Sequence, residues 1–569
     1  MEKRWVQAVK GNQENADLLA QQLTIDLSLA EILVQRGIDS FDKARDFFRP
    51  QMAHLHDPFL MKDMDKAVLR IDAALQNGEK ILVYGDYDVD GTTSVALTYG
   101  FFSGFTEAIE YYIPDRHKEG YGISTEGIDH AAANGFTLII ALDCGIKSVE
   151  KVAYATTMGV DFIICDHHLP GDVLPDAAAV LDPKRADCDY PFKELAGCGI
   201  GFKLAQAYCQ KHQLPPEKYE QYLDLVMVSI AADIVPVEGE NRILAHHGLV
   251  KLNKKPCTGL KALMEISGKN KDYTLTDVVF VLAPRINAAG RMDHASQAVK
   301  MLICDEDLLA QEQSSFINLQ NTERKTSDQN MTAEALALIG ECEILMGKKT
   351  TVVYHESWNK GVIGIVASRL IEKYYRPTVV LTASNGLLTG SARSVAGFDL
   401  YEALLACEDL LVQFGGHKFA AGLTLKPENM ELFSERFENI VAATITEELL
   451  RPELGVDAMI EFSQIIPKFQ RIIAQMAPFG PHNLAPVFVT HNVFVTTKPQ
   501  VVGIKHLKLM LKQQNSIIFE AIGFGLAEYE SLLQPNEPFS VCYTVEENVW
   551  KDKRSLQLNI KAIKTNITG

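Results

Sequence analysis

Apolar residues recur at two different spacings along the chain, and the switches between them mark its organisation. In the first 75 or so residues, ADLLAQQL (16–23), LAEILVQRG (29–37) and FDKARDFFRP (41–50) repeat every three to four positions, which predicts amphipathic helices. Pro50 and Pro58 punctuate the end of this helical region. From about Lys80 to Asp182 the pattern changes to short apolar runs separated by helix-length segments. KILVYGD, FTLIIALD, VDFIICD and AAAVLDP read as strands, and TSVALTYGFF and KSVEKVAYATTMG as the helices between them. Such alternation predicts a parallel α/β sheet.

A helical stretch that includes YEQYLDLVMVSIAADI runs on to about 260, and a long polar helical connector is expected from about Glu306 to Glu341. A second strand–helix alternation begins at TTVVYHES and continues through GIVASRLIEKYY and TVVLTAS. Beyond about 455, VFVTHNVFVTT, HLKLMLKQ, SIIFEAIGFG, SVCYTVEEN and SLQLNIKAI predict five short strands of a small barrel or sandwich. The expected divisions are 1–75, 76–260, 261–347, 348–450 and 455–569. No tandem repeat or low-complexity tract interrupts them.

Composition narrows the class. The chain has 569 residues, 47% hydrophobic and 22% charged, as a soluble globular protein of three or four domains would. No run approaches the ~18 apolar residues of a membrane span. MEKRWVQAVKGNQ lacks the apolar core of a signal peptide, so the cytoplasm is the expected location. Ten cysteines scattered from Cys144 to Cys542 form no CxxC pair, and are expected to be reduced and mostly buried. The net charge of −18 excludes an overall basic coat, but leaves room for a local basic groove and for acidic clusters that hold cations.

The candidate chemistry rests on a coincidence of position. Three strands in one α/β unit run into acidic residues at their carboxyl ends: Asp86, Asp88 and Asp90 in GDYDVDG, Asp143 in LDCG, and Asp166 with His167 and His168 in CDHH. Ligands of open α/β sheets bind outside the carboxyl ends of the strands. Carboxylates gathered there repel one another unless a divalent cation neutralises them. Oxygen-rich ligation with an imidazole suits Mn²⁺ or Mg²⁺, and two such ions can activate water and clamp a phosphoryl group. Each piece alone has a plainer reading. DxDxDG resembles the start of a calcium loop, although its twelfth position is Leu97 rather than Glu. Asp143 could be a helix cap, and the histidines an ordinary turn. Their joint order at strand ends favours the metal site.

Those same residues carry a family resemblance. GDYDVDGTTS, LDCGI and CDHH resemble the DHH superfamily of phosphoesterases, which includes exonucleases, pyrophosphatases and small-oligonucleotide hydrolases. IPDRHKEGYGIS, LAGCGIGFKL, AADIVPVEGENR, APRINAAGRM, GSARSVAGFDLYEAL and GGHKFAAGLTL narrow the resemblance to the RecJ family, from about residue 70 to the end. The resemblance implies an α/β parallel-sheet DHH core, a second α/β domain of the DHHA1 type joined by a long helix, and an OB-like barrel. It implies Asp88, Asp90, Asp143, His167 and Asp233 as ligands of two metal ions, with Asp143 bridging and His168 contacting the scissile phosphate or supporting the ligands. Many superfamily members carry a histidine where this chain has Tyr84, so Asp86 is a further candidate ligand. Arg285 and Arg291 resemble phosphate-contacting arginines, which present paired donors. Arg116, His117 and Glu119 fall in a loop beside the expected crevice. Lys360, Arg393 and His417 are further substrate candidates, and the glycines around them either admit phosphate or merely pack beneath a turn. Lys505, His506, Lys508, Trp550, Lys551 and Arg554 are barrel candidates for DNA contact.

The implied activity is 5′→3′ exonucleolytic hydrolysis of single-stranded DNA in recombination and repair, by a monomer acting in a channel too narrow for duplex. A single-strand-binding protein and a helicase are implied partners. Two competing readings are a pyrophosphatase or dinucleotide phosphodiesterase, and a non-catalytic DNA-binding scaffold. The first leaves the late barrel and PRINAAGR unexplained, and the intact acidic set speaks against the second.

Overall fold

The computed structural model describes residues 3–116, 118–514, 516–550 and 553–565. The chain forms two compact units. The larger takes residues 7–290, 294–317 and 455–569; the smaller takes 1–6, 291–293 and 318–454. The strands in chain order are β1 (Arg4–Gln7), β2 (Lys80–Gly85), β3 (Ile109–Tyr112), β4 (Phe136–Leu142), β5 (Asp161–Cys165), β6 (Ala179–Leu181), β7 (Thr351–Tyr354), β8 (Thr378–Ser384), β9 (Leu387–Arg393), β10 (Leu411–His417), β11 (Ala420–Leu425), β12 (Glu453–Val456), β13 (Ala458–Met459), β14 (Phe488–Val495), β15 (Gln500–Val502), β16 (His506–Lys512), β17 (Phe519–Gly523), β18 (Phe539–Trp550) and β19 (Lys553–Thr565).

In the larger unit, five strands form a parallel sheet of order β3-β2-β4-β5-β6. Strands β2, β4 and β5 are apolar on both faces, as a sheet covered on both sides requires. One face packs Ile81, Val83, Leu138, Ile140 and Ile163 into the main core; the other packs Leu82, Tyr84, Ile139, Ala141 and Ile164 into a second. The sequence pattern does not reveal β3, because IEYY is short and places Glu110 on an exposed edge. Parallel register brings the carboxyl ends of β2, β4, β5 and β6 side by side, so Asp86, Asp143, Asp166 and Asp182 emerge along one edge.

The second part of the larger unit is the barrel. The five strands read from the sequence are β14, β16, β17, β18 and β19. They run in the order β14-β18-β19-β17-β16, and β14 pairs with β16 to close the ring. The helices Gln13–Leu23, Leu27–Gln35 and Phe41–Phe48 appear as expected, but they share one core with the barrel: Leu29, Ile32 and Leu33 pack with Phe462, Phe488 and Val493. The chain also opens on a strand that the helical reading omitted, β1, paired with β12. Within the larger unit, Arg242 ties the helix Phe41–Phe48 to the segment 476–478 ahead of β14. Its guanidinium donates to the carbonyls of Phe47, Met476, Ala477 and Pro478 and lies 3.7 Å over the Phe47 ring. Burial pushes its pKa down to about 9.

The smaller unit departs from the expected alternation. Its sheet has the order β10-β11-β9-β8-β7, and only β7–β8 is parallel. The reason lies in Asn385-Gly386, whose φ values of 52° and 77° make the two-residue turn that joins antiparallel strands. GSARS and GGHKFAAGLTL, whose glycines are expected either to admit phosphate or to pack beneath a turn, are largely strands β9, β10 and β11 of this sheet. A single helix, Asp307–Gly340, occupies the expected connector. Among the described residues, no helix is long and apolar enough to cross a membrane.

Candidate metal centre

Each candidate ligand is placed by the end of an element. Asp88 caps the helix Val89–Phe102, its Oδ1 accepting the Gly91 N–H at 3.0 Å. Asp90, in the first turn of that helix, is buried and held from three sides. Its Oδ2 accepts the Gly197 N–H at 2.7 Å, and its Oδ1 accepts the Cys198 N–H at 2.8 Å and the Ser229 hydroxyl at 2.7 Å. Asp143 follows β4 at φ 58°, a left-handed conformation that Asp adopts more readily than most residues. Gly197 faces it so closely that a Cβ there would lie 2.8 Å from the Asp143 Cβ. Asp233 is the C-cap of the helix Leu223–Ala232, its N–H donating to Ser229 at 2.9 Å.

His167 joins these carboxylates into one cluster. Its Nε2 lies 3.1 Å from Asp143 Oδ1, 3.6 Å from Asp233 Oδ2 and 3.7 Å from Asp90 Oδ2. Three overlapping triplets each bring ligand atoms within 4.8 Å of one another: Asp86, Asp88 and Asp143; Asp90, His167 and Asp233; and Asp143, His167 and His168. Asp143 belongs to two of them, as a residue bridging two ions would.

Asp166 serves differently. Its buried carboxylate accepts the N–H groups of Ile146, His167 and His168, and its Oδ1 sits 2.7 Å from His168 Nδ1. It therefore orients both histidines. Tyr121 meets the other side of His168, with its hydroxyl 3.1 Å from Nε2. Tyr84 is buried; its hydroxyl donates to the Gly122 carbonyl at 2.9 Å and accepts the Ser124 N–H at 3.1 Å. It is thus a core residue, and the neighbouring Asp86 faces the cluster.

The electrostatics are those of an acidic pocket awaiting positive charge. Burial, followed by the charge of neighbouring aspartates, raises the pKa of Asp86, Asp88 and Asp143. The same causes bring Asp233 to about 8. Burial lowers the pKa of His167 and outweighs Asp90, leaving the imidazole neutral and able to ligate. For His168 burial is the largest single influence and pulls down, but the Asp166 hydrogen bond together with the charges of Asp166, Asp233 and Asp90 raises the pKa. Buried Asp86 Oδ1 and both ring nitrogens of His167 have no hydrogen-bond partner. Unsatisfied groups of this kind call for an ion. Five carboxylates and an imidazole, with no cysteine in the ligand triplets found among the described residues, fit a pair of Mn²⁺ or Mg²⁺ ions.

The remaining candidates divide between the units. Arg116 lies 4.8 Å over the Tyr87 ring, and its charge only partly opposes the rise that burial and Asp88 impose on the Asp86 pKa. Glu119 turns inward, accepting from Asp115 N–H, Tyr112 and Ser124, so it ties down the loop. His117 lies outside the described residues. Half-buried Arg285, on the helix Ala283–Met292, donates to the Val281 carbonyl at 2.6 Å. In the smaller unit, Arg291 donates to Gly361, next to exposed Lys360, at 2.9 Å. Arg393, at the end of β9, donates to the Ser391 hydroxyl at 3.0 Å; a Cβ on Gly364, at the start of the helix Ile363–Tyr374, would meet its Nη2 at 2.9 Å. His417 is exposed at the end of β10. On the barrel, Lys508 pairs with Glu520 at 2.7 Å, Arg554 with Glu547 at 3.3 Å, and His506 packs edge-on to Phe524. Lys505 is exposed on the turn before β16. Lys551 and the side chain of Trp550 lie outside the described residues.

Sequence reasoning missed the residues that hold the ligands: Ser229, Gly197, the orienting role of Asp166, and Tyr121. Their signal is weak because a hydroxyl or glycine becomes informative only when the fold shows what it faces.

A parallel α/β core with aspartates and histidines crowded on its carboxyl edge defines a metal-dependent phosphoesterase of the DHH type, and family models agree. The DHH family N-terminal domain matches residues 80–230, the DHHA1 domain 347–443 and the RecJ OB domain 456–562. The chain belongs to the RecJ family. It is 37% identical to the single-stranded-DNA-specific exonuclease RecJ of Bacillus subtilis over 562 residues, covering 98% of this chain and 70% of that protein. It is 34% identical to the Escherichia coli enzyme of the same name, covering 88% and 90%. Structures of Thermus thermophilus RecJ with Mn²⁺ and with Mg²⁺ superpose at TM-scores of 0.86 and 0.80. They are 26% and 25% identical, and cover all of this chain and 80% and 79% of theirs.

Proposed function

We propose that the protein is a single-stranded-DNA-specific exonuclease that hydrolyses the strand 5′→3′ and releases 5′-mononucleotides. The observation that carries this reading is the cluster of Asp86, Asp88, Asp90, Asp143, His167 and Asp233. Relatives named single-stranded-DNA-specific exonuclease support the substrate class and the exonuclease reading.

When bound, two divalent ions supply Lewis acidity and a water of lowered pKa. Asp86, Asp88, Asp90, Asp143, His167 and Asp233 are the residues that would hold them, and Asp143, common to two of the ligand triplets, would be shared between them. The water oxygen attacks phosphorus in line with the P–O3′ bond, which breaks, and the departing O3′ takes up a proton. His168, fixed by Asp166 and Tyr121, and Arg285 offset the charge on the phosphate oxygens. Arg116, Arg291, Lys360, Arg393 and His417 contact the strand, and stacking on the barrel adds grip without reading base edges. The protein acts in the cytoplasm, as a monomer, in DNA recombination and repair, where a single-strand-binding protein and a helicase are its partners.

The test compares 5′- and 3′-labelled single strands, a duplex, a dinucleotide and pyrophosphate, each with and without Mn²⁺. Metal-dependent release of mononucleotide from the 5′ end of single strands alone is expected. Preference for the dinucleotide or pyrophosphate would sink the reading.

A further inference from the structure

Ile234 follows the candidate ligand Asp233 and adopts φ 61°, in the left-handed region that branched side chains avoid. The turn is needed there. Asp233 faces the metal cluster, whereas Val235 and Val237, just beyond, are buried in the main core, and the chain must reverse between them. Glycine or asparagine would make this turn at lower cost. The isoleucine does not compensate by packing, because it is 65% exposed. A strained, exposed, aliphatic side chain one residue from a ligand calls for an explanation outside the core.

Other exposed apolar side chains also adjoin cluster residues. Leu169, directly after His168, is 70% exposed, and Tyr121, bonded to His168, is 59% exposed. The acidic cluster therefore has apolar side chains on its flanks. A strand whose phosphate lies at the cluster brings its sugar close by. A short side chain adjacent to a ligand reaches that sugar before it reaches the base.

We propose that Ile234 is a specificity-determining residue. Its side chain covers C2′ of the sugar at the scissile phosphate, accepting the methylene of deoxyribose and disfavouring the 2′-hydroxyl of ribose. The inference rests on the nuclease reading and assigns its sugar preference to one side chain. A hydroxyl pressed against an aliphatic group loses its water partners without gaining others.

The test measures kcat/KM with Mn²⁺ on a DNA single strand and on the same strand carrying a ribonucleotide at each terminus. The parent should favour the all-DNA strand by roughly 10- to 100-fold, the range an apolar wall achieves against an added hydroxyl. Ile234→Gly should bring that ratio to within about threefold of unity, and Ile234→Val should keep most of it. The glycine variant should unfold at no lower temperature than the parent, because glycine is relaxed at this φ. A parental ratio retained by Ile234→Gly, or a parent indifferent to the ribonucleotide, overturns the proposal while leaving the nuclease reading intact. A parent that cuts no single strand overturns both.

Discussion

The two mixed α/β regions of this chain use their sheets in opposite ways. In the larger unit all five strands are parallel, so the residues after β2, β4 and β5 meet at one edge although Asp86 and Asp166 are far apart in sequence. In the smaller unit four of the five strands, β8 to β11, form antiparallel pairs, and basic residues lie at strand ends: Arg393 on β9 and His417 on β10. The parallel sheet concentrates negative charge that needs cations; the antiparallel sheet presents cations and imidazole that suit phosphate. The first arrangement fits chemistry and the second fits holding, and that division can be tested by asking which kinetic constant each unit controls.

The largest effect is expected at Asp143. Asp143→Asn keeps a side chain that tolerates φ 58° but removes the charge shared by two ligand triplets. Cleavage of single-stranded DNA should fall by about a thousandfold or more, several kcal/mol of transition-state stabilisation. Strand binding, measured by anisotropy, should change little; residual cleavage within tenfold of the parent would remove Asp143 from the chemistry. Asp166→Asn should cost about 10- to 100-fold in kcat, as expected of a group that orients ligands without binding metal. An effect confined to KM would contradict that role. For the smaller unit, Arg393→Ala should raise KM by roughly tenfold, the loss of one charge-assisted phosphate contact, with kcat nearly kept. If it lowered kcat alone, the division between the two sheets would fail.

How much of this could be read from the sequence follows the same contrast. Buried parallel strands leave continuous apolar runs, and an aspartate ending each run is conspicuous, so the core and most candidate ligands were legible. Asp233 ends a helix, where a polar residue is unremarkable, and it came only from the family resemblance. The antiparallel strands β9 to β11 hid behind glycine and alanine, which are depleted in strands and blur the alternation, and Asn385-Gly386 was the overlooked hairpin signal. The shared core of N-terminal helices and barrel was not legible, because no local pattern tells one apolar face that its partner lies some 450 residues away. Nor was the inward turn of Glu119, since a charged residue in a loop shows its partners only once the loop is folded.

The smallest expected effect concerns stability, and it separates the acidic edge from the rest of the molecule. Asp233 has a folded-state pKa of about 8, raised by burial and then by Asp90 and Asp88, whereas an unfolded aspartate titrates near ~3.9. Between those values the folded chain holds a proton that the unfolded chain has released. The metal-free fold therefore loses stability from this group as pH rises from about 4 to about 8. A cation entering at pH 6 must displace that proton, whereas at pH 8.5 Asp233 has largely released it. Saturating Mn²⁺ should thus raise the unfolding temperature by a few degrees (about 2–4 °C per kcal/mol for a large domain), and by more at pH 8.5 than at pH 6. Differential scanning fluorimetry at the two pH values reads this directly. An equal or larger shift at pH 6 would mean that the cation does not sit among the raised carboxylates, and Asp143→Asn should shrink the shift at both pH values.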